Sequence, residues 1–184
     1  MKIKNYDNLP TPCYYYDMEV LNNTLEALKK EADEAGFVVH YAIKANANPR
    51  ILKTIASYGF GADCVSGNEI TAAIEAGFDP KGIVFAGVGK TDKEIFTALN
   101  AGILCFNCES LPEIENINEI AMSMGEKATI ALRINPLIDA HTHRYITTGV
   151  EESKFGILKG EVLPILQRVG CMDNVKFSGL HFHI

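Results

Sequence analysis

The 184-residue sequence carries 17 Lys+Arg against 23 Asp+Glu, a net charge of -6, with 47% apolar residues, 9% aromatics and no Trp. Such a chain can bury a core, which excludes disorder and collagen-like character, and without a clustered Lys/Arg stripe no nucleic-acid partner is expected. Its apolar runs are strand-sized, far below the ~20 residues a membrane span needs, and the N-terminus lacks the apolar core of a signal peptide, so the expected location is cytoplasmic with no membrane partner.

Residues 1–16 read as a lead-in segment in which Cys13-Tyr14-Tyr15-Tyr16 is aromatic and β-prone. Asp17 is a candidate N-cap for a helix running to about Ala35, with Val20, Leu21, Leu25 and Leu28 near the helical period and Gly36 as its stop. Phe37 to Ile43 reads as a buried strand, Pro49 to Tyr58 as a helix, Phe60 to Asp63 as a strand, and Gly67 to Ala76 as a helix. The strand Ile83–Ala86 follows, then the helix Asp92–Asn100, the strand Ile103–Asn107, the helix Leu111–Met124 and the strand Ala128–Asn135. Residues 136–156 form a long loop of the kind that serves as a lid or binding segment at a barrel mouth. A helix over Glu161–Val169 and a strand over Val175–Ile184 complete the chain.

Short apolar strands, each followed by a helix with Gly at its end, imply an α/β protein with parallel strands and right-handed crossovers. A doubly wound sheet and a (β/α)8 TIM barrel both satisfy that alternation. No G-x-G-x-x-G follows the first strand, so the barrel is favoured over residues 17–184. A complete barrel typically takes ~250 residues, and here six of eight strands use up the chain, which predicts a partial barrel.

Reactive side chains fall at the C-terminal ends of the strands, the edge where such folds bind ligands. Lys44 follows an apolar strand, where a poorly hydrated mouth would lower its pKa and make its amine a nucleophile. Asp63 is one strand over, placed to hold that ammonium; its alternative role is to cap the next helix, which Ser66 serves equally well. Glu69 reads either as a capping residue or as part of a site. Arg133 lies opposite Leu132 and Ile134 on its strand and needs an anionic or phenolate partner. His181 and His183 share one strand face, and His183 is able to stack on a flat ligand. With His141 and His143 they also suggest a metal, but those two lie in a polar loop without supporting residues, and no metal is assigned. Cys105 and Cys108, spaced C-x-x-C without a second pair, read as core thiols, and the five scattered Cys are expected to be reduced and mostly buried.

Tyr41-Ala42-Ile43-Lys44-Ala45-Asn46 resembles the cofactor-lysine motif of the alanine-racemase-like decarboxylases that use pyridoxal 5'-phosphate. Gly61-Ala62-Asp63-Cys64-Val65-Ser66-Gly67-Asn68-Glu69, Phe106-Asn107-Cys108-Glu109-Ser110 and Arg133-Ile134-Asn135-Pro136 follow in the family's order. The run from Thr142-His143 through Thr148-Gly149 to Ser153-Lys154-Phe155-Gly156-Ile157, then Gly179-Leu180-His181-Phe182-His183-Ile184, is most similar to the branch acting on diaminopimelate. Asn68 and Cys108 depart from the usual Gly and Val without touching the chemistry.

The resemblance implies that Lys44 is the Schiff-base lysine, that His183 stacks on the pyridine ring, that Asp63 lies beside the lysine and that Arg133 approaches the ring's phenolic side. It implies a lyase that turns meso-diaminopimelate into L-lysine, with a small amino-acid substrate and a homodimer or other homo-oligomer as the working form. Other basic amino acids (ornithine, lysine, carboxynorspermidine) and a non-catalytic cofactor carrier are the competing expectations. It further implies that two barrel strands and a C-terminal β domain lie beyond the sequence, and that these 184 residues do not decarboxylate alone.

Overall fold

The computed structural model describes residues 9–136 and 155–183, which divide into two compact units, 1–37 and 38–184. In the first unit α1 spans Met18–Ala35. Asp17 caps it as expected, its Oδ1 accepting from the backbone N–H of Glu19 and Val20 at 3.1 Å each. Leu25 and Ala32, two turns apart, are its buried residues, whereas Val20 and Leu28 are exposed, so the apolar stripe is narrower than the sequence suggests. The β-prone residues Cys13 to Tyr16 form no strand, and Tyr14 is 92% exposed.

The second unit contains one parallel sheet: β1 (His40–Ala42), β2 (Gly61–Cys64), β3 (Ile83–Phe85), β4 (Cys105–Cys108), β5 (Ala128–Asn135), β6 (Ile157–Leu158) and β7 (Val175–His181). Each strand from β1 to β5 pairs in parallel with the next, and both β6 and β7 pair in parallel with β5. Between them run α2 (Pro49–Ser57), α3 (Gly67–Ala76), α4 (Asp92–Ala101), α5 (Leu111–Met124) and α6 (Val162–Val169). Spatial order follows chain order, without the reversal that creates a switch point in a doubly wound sheet. The architecture is therefore a partial α/β barrel.

Local sequence signals account for most of the helix ends. Asn48, Ser66, Thr91 and Ser110 accept first-turn N–H groups with their side chains. Gly77, Gly102 and Gly125 close α3, α4 and α5 in the left-handed region, which costs a glycine nothing. Strand alternation then sorts two faces. Ala62, Cys64, Ile83, Phe85, Phe106, Cys108, Ile130 and Leu132 are at most 1% exposed and form a core with Ile70, Ile95, Ile114 and Ile117 of the helices. The opposite face carries the half-buried His40, Asp63, Val84, Arg133 and His181.

Three elements differ from expectation. β1 is confined to three residues because it meets β2 only there, and Phe37 and Val38, expected inside the strand, are exposed. β6, too short to leave a periodic trace, pairs Ile157 and Leu158 with Ile134 and Asn135. It thereby takes the end of β5, so β7 finds no partner beyond Arg133 and stops at His181 rather than Ile184. The expected lid lies almost wholly in 137–154, outside the described residues, as do His141 and His143. Among the described residues no helix is long and apolar enough to cross a membrane.

Candidate active site

The end of β1 turns into one 3-10 turn, Ile43–Ala45, anchored by the fully buried Ile43. Lys44 in that turn is exposed, so it stands one turn beyond the strand and not in the enclosed, poorly hydrated mouth expected of it. Asp63 is on the neighbouring strand, registered against Ala42 and two residues along from Lys44. Its Oδ1 is buried without a hydrogen-bond partner among the described residues. Asp63 is not the cap of α3: Ser66 Oγ accepts the Glu69 N–H at 3.2 Å, and Glu69 Oε2 reaches back to the Val65 N–H at 2.8 Å. The ambiguity over Glu69 thus resolves as helix capping.

Arg133 faces away from the buried Leu132, as alternation requires, and its partner is anionic. Nη1 donates to Glu109 Oε1 at 2.5 Å, with side chains only 15% and 6% exposed. Its Cζ also lies 5.7 Å from the Phe155 ring centroid. Phe155 is held there by Gly156, whose φ of +99° suits only glycine and where a Cβ would stand 2.9 Å from the Arg133 carbonyl oxygen. His181 is the β7 residue registered directly beside Arg133. Its Nδ1 is buried and unpartnered, and burial first, then the Arg133 guanidinium, lower its pKa below the ordinary 6.5, against an opposing pull from Asp63 and Glu109. His183 lies beyond the end of β7, exposed, and so does not share a strand face with His181.

Several members of this cluster escape a reading by residue type. Glu109 lies within a segment whose family likeness is visible, but an acid after a strand reads first as a helix cap. Its second oxygen, Oε2, is buried and unpartnered. Behind it, Lys90 Nζ, with its side chain 1% exposed, donates to Glu113 Oε1 at 2.6 Å and to the carbonyls of Gly87 and Asn107 at 2.8 Å each. Glu113 Oε2 in turn accepts the Glu109 N–H at 2.8 Å. Lys90 sits in a Gly-rich connection, where a lysine looks solvated.

The thiols behave as expected of reduced cysteines. All five are free; Cys64, Cys105 and Cys108 are buried, and Cys13 and Cys171 are exposed. Burial pushes the Cys64 thiol up to about 12, helped by the negative charges of Glu69 and Asp63, and burial also raises Cys105 and Cys108. Among the described residues no group of three or more His, Cys, Asp or Glu is arranged to hold a metal ion.

The family model for the pyridoxal-dependent decarboxylase, pyridoxal binding domain, matches residues 19–184. A curated diaminopimelate decarboxylase from Bacteroides thetaiotaomicron is 54% identical over 183 residues, covering 99% of this chain and 47% of that protein. The crystal structure of diaminopimelate decarboxylase from Helicobacter pylori complexed with L-lysine superposes with a TM-score of 0.87 at 42% identity, covering 97% of this chain and 45% of that one. The arginine decarboxylase of Paramecium bursaria Chlorella virus gives a TM-score of 0.74 at 25% identity, covering 89% of this chain and 42% of that one. The chain spans about half the length of these relatives. With the matched model covering nearly the whole sequence, the chain belongs to the pyridoxal-dependent decarboxylases and carries their pyridoxal-binding domain.

Proposed function

We propose that the protein is a lyase of lysine biosynthesis that decarboxylates meso-diaminopimelate to L-lysine, with pyridoxal phosphate held at the C-terminal edge of the sheet. The observation that carries this reading is the alignment along that edge of a primary amine, an unpartnered carboxylate oxygen, a guanidinium and two imidazoles: Lys44, Asp63, Arg133, His181 and His183. These residues fit the cofactor. An aldehyde asks for an amine, a phenolic oxygen for a cationic donor and a flat ring for a flat partner, and the buried Asp63 Oδ1 and His181 Nδ1 still lack hydrogen bonds.

Bound there, pyridoxal phosphate supplies an electron sink for the pair left on the α-carbon when the carboxylate departs as CO2. The chain's own residues do the rest. Lys44 would hold the aldehyde of the cofactor through its amine. Asp63 would offer its unpartnered Oδ1 as an acceptor to a donor brought into the site. Arg133, paired with Glu109, would donate to the phenolic oxygen, and His183 would lie against the ring. His181, kept neutral by burial and by Arg133, adds no positive charge beside that guanidinium.

The working form in this reading is a cytoplasmic homodimer, and five unbridged thiols suit that compartment. Decarboxylation of another basic amino acid by the same site is the second reading, favoured by the structural likeness to an arginine decarboxylase. Titration with pyridoxal phosphate gives a new visible absorbance band in the wild type that is missing in Lys44→Ala. The full-length protein releases CO2 from meso-diaminopimelate faster than from ornithine or arginine. A band that persists in Lys44→Ala refutes the site, and a preference for ornithine or arginine refutes the substrate.

A further inference from the structure

We propose that Lys90 and Glu113 are positioning residues for the cofactor site, forming a buried brace that fixes Arg133 through Glu109. The inference rests on the proposed role of Arg133 and deepens it. Four charged residues connect in series, the middle link running through backbone: Lys90 Nζ donates to Glu113 Oε1 at 2.6 Å, the Glu109 backbone N–H donates to Glu113 Oε2 at 2.8 Å, and Arg133 Nη1 donates to Glu109 Oε1 at 2.5 Å. The chain of contacts spans the connection after β3, the end of β4, the first turn of α5 and the end of β5. Its charges cancel.

Burial explains why this is more than packing. Lys90 is 1% exposed, and an ammonium out of water is tolerated only when its donors are satisfied; here three acceptors do so, with the Phe85 ring 5.2 Å away. Such a lysine is no nucleophile, and replacing a buried ion pair by apolar residues is often neutral for stability. What the apolar alternative lacks is direction. Glu113 uses its two oxygens for two donors, so the Lys90 position dictates where the Glu109 backbone sits, and the Glu109–Arg133 pair uses one oxygen and one nitrogen. A monodentate pair alone leaves the guanidinium free to swing, and holding the Glu109 backbone fixes the point from which its carboxylate reaches Arg133.

The test uses the full-length protein with two variants: Glu113→Gln, whose amide NH2 would face one of the two donors that the carboxylate oxygens now accept, and the charge-free double variant Lys90→Met/Glu113→Leu, which removes both buried charges together. Pyridoxal phosphate affinity is titrated by absorbance in the wild-type and Arg133→Leu backgrounds, beside thermal unfolding. Expected is an affinity loss of about tenfold in the wild-type background and no further loss in Arg133→Leu, since the brace acts only through that guanidinium. Equal losses in both backgrounds, or an unchanged affinity, overturn the inference while the proposed function stands. A wild type that takes up no pyridoxal phosphate overturns both.

Discussion

Gly61, the first residue of β2, is where strand packing depends on a missing atom. A Cβ there would lie 2.4 Å from His40 Nδ1 and 2.5 Å from the Gly82 carbonyl oxygen. The imidazole belongs to a half-buried side chain and is able to rotate away. The carbonyl is backbone of the adjoining segment, and the gap is roughly 0.9 Å short of ordinary contact, so β2 must move off the start of β3. Gly61→Ala should therefore cost about 2–3 kcal/mol, the upper part of the range for overpacking in a close-packed interior, and lower the Tm by ~4–12 °C for a chain of this size. Removing the imidazole as well, in His40→Ala/Gly61→Ala, should recover only a minor share of that loss. Gly59→Ala serves as a control: nothing lies within 4 Å of its Cβ, and its φ of +76° confines the cost to backbone strain of about 1–2 kcal/mol. Urea unfolding of the three variants checks the ranking. A Gly61→Ala protein as stable as wild type, or full recovery on removing His40, would show that the carbonyl is not the constraint.

Three further outcomes follow from burial and charge. The lowered pKa of His181 means that the unfolded chain binds its proton first. Stability from this group is fully present above about pH 6.5 and falls as pH drops below it, so His181→Gln should flatten that limb of the unfolding profile; an unaltered limb refutes it. At neutral pH a thiol reagent should label Cys13 and Cys171 in the folded protein and spare Cys64, Cys105 and Cys108 until denaturant is added; rapid labelling of a third site by mass spectrometry contradicts this. Ile114→Ala, deleting a fully buried side chain from α5, should cost about 2–5 kcal/mol in urea unfolding, and a loss under ~1 kcal/mol would mean that the helix–sheet core collapses around the cavity.

The βα alternation was legible because several helices announce their ends locally. Ser66, Thr91 and Ser110 with their terminal glycines mark α3, α4 and α5 to within a residue of where they fall. Strand ends were less legible because a strand extends only as far as its neighbour. Phe37 and Val38 have the right residue type for β1 and no partner, and β7 stops where β6 takes over the end of β5. The same limit applies in the site. Alternation places Arg133 on the side away from Leu132, but that Glu109 meets it and that Lys90 meets Glu113 depends on register between elements more than 20 residues apart, 24 for Arg133 and Glu109 and 23 for Lys90 and Glu113.

Where the polar cost is borne separates the site from the rest of the fold. Along the helix-covered face the buried residues are apolar, and the cysteines among them are held as neutral thiols. On the other side of the same strands, His40 Nδ1, Asp63 Oδ1 and His181 Nδ1 are buried and unpaired, with Glu109 Oε2 at the end of β4. Each such atom costs on the order of 1–3 kcal/mol, a large fraction of a domain's net stability when several occur together. Folding alone gives no reason to concentrate that cost on one face, since Val or Leu at Asp63 or His181 would remove it. A ligand offering donors and acceptors of its own does give a reason, because binding supplies the hydrogen bonds that the free chain lacks. On that logic Asp63→Leu should raise the stability of the free protein and abolish the gain that added pyridoxal phosphate gives the wild type.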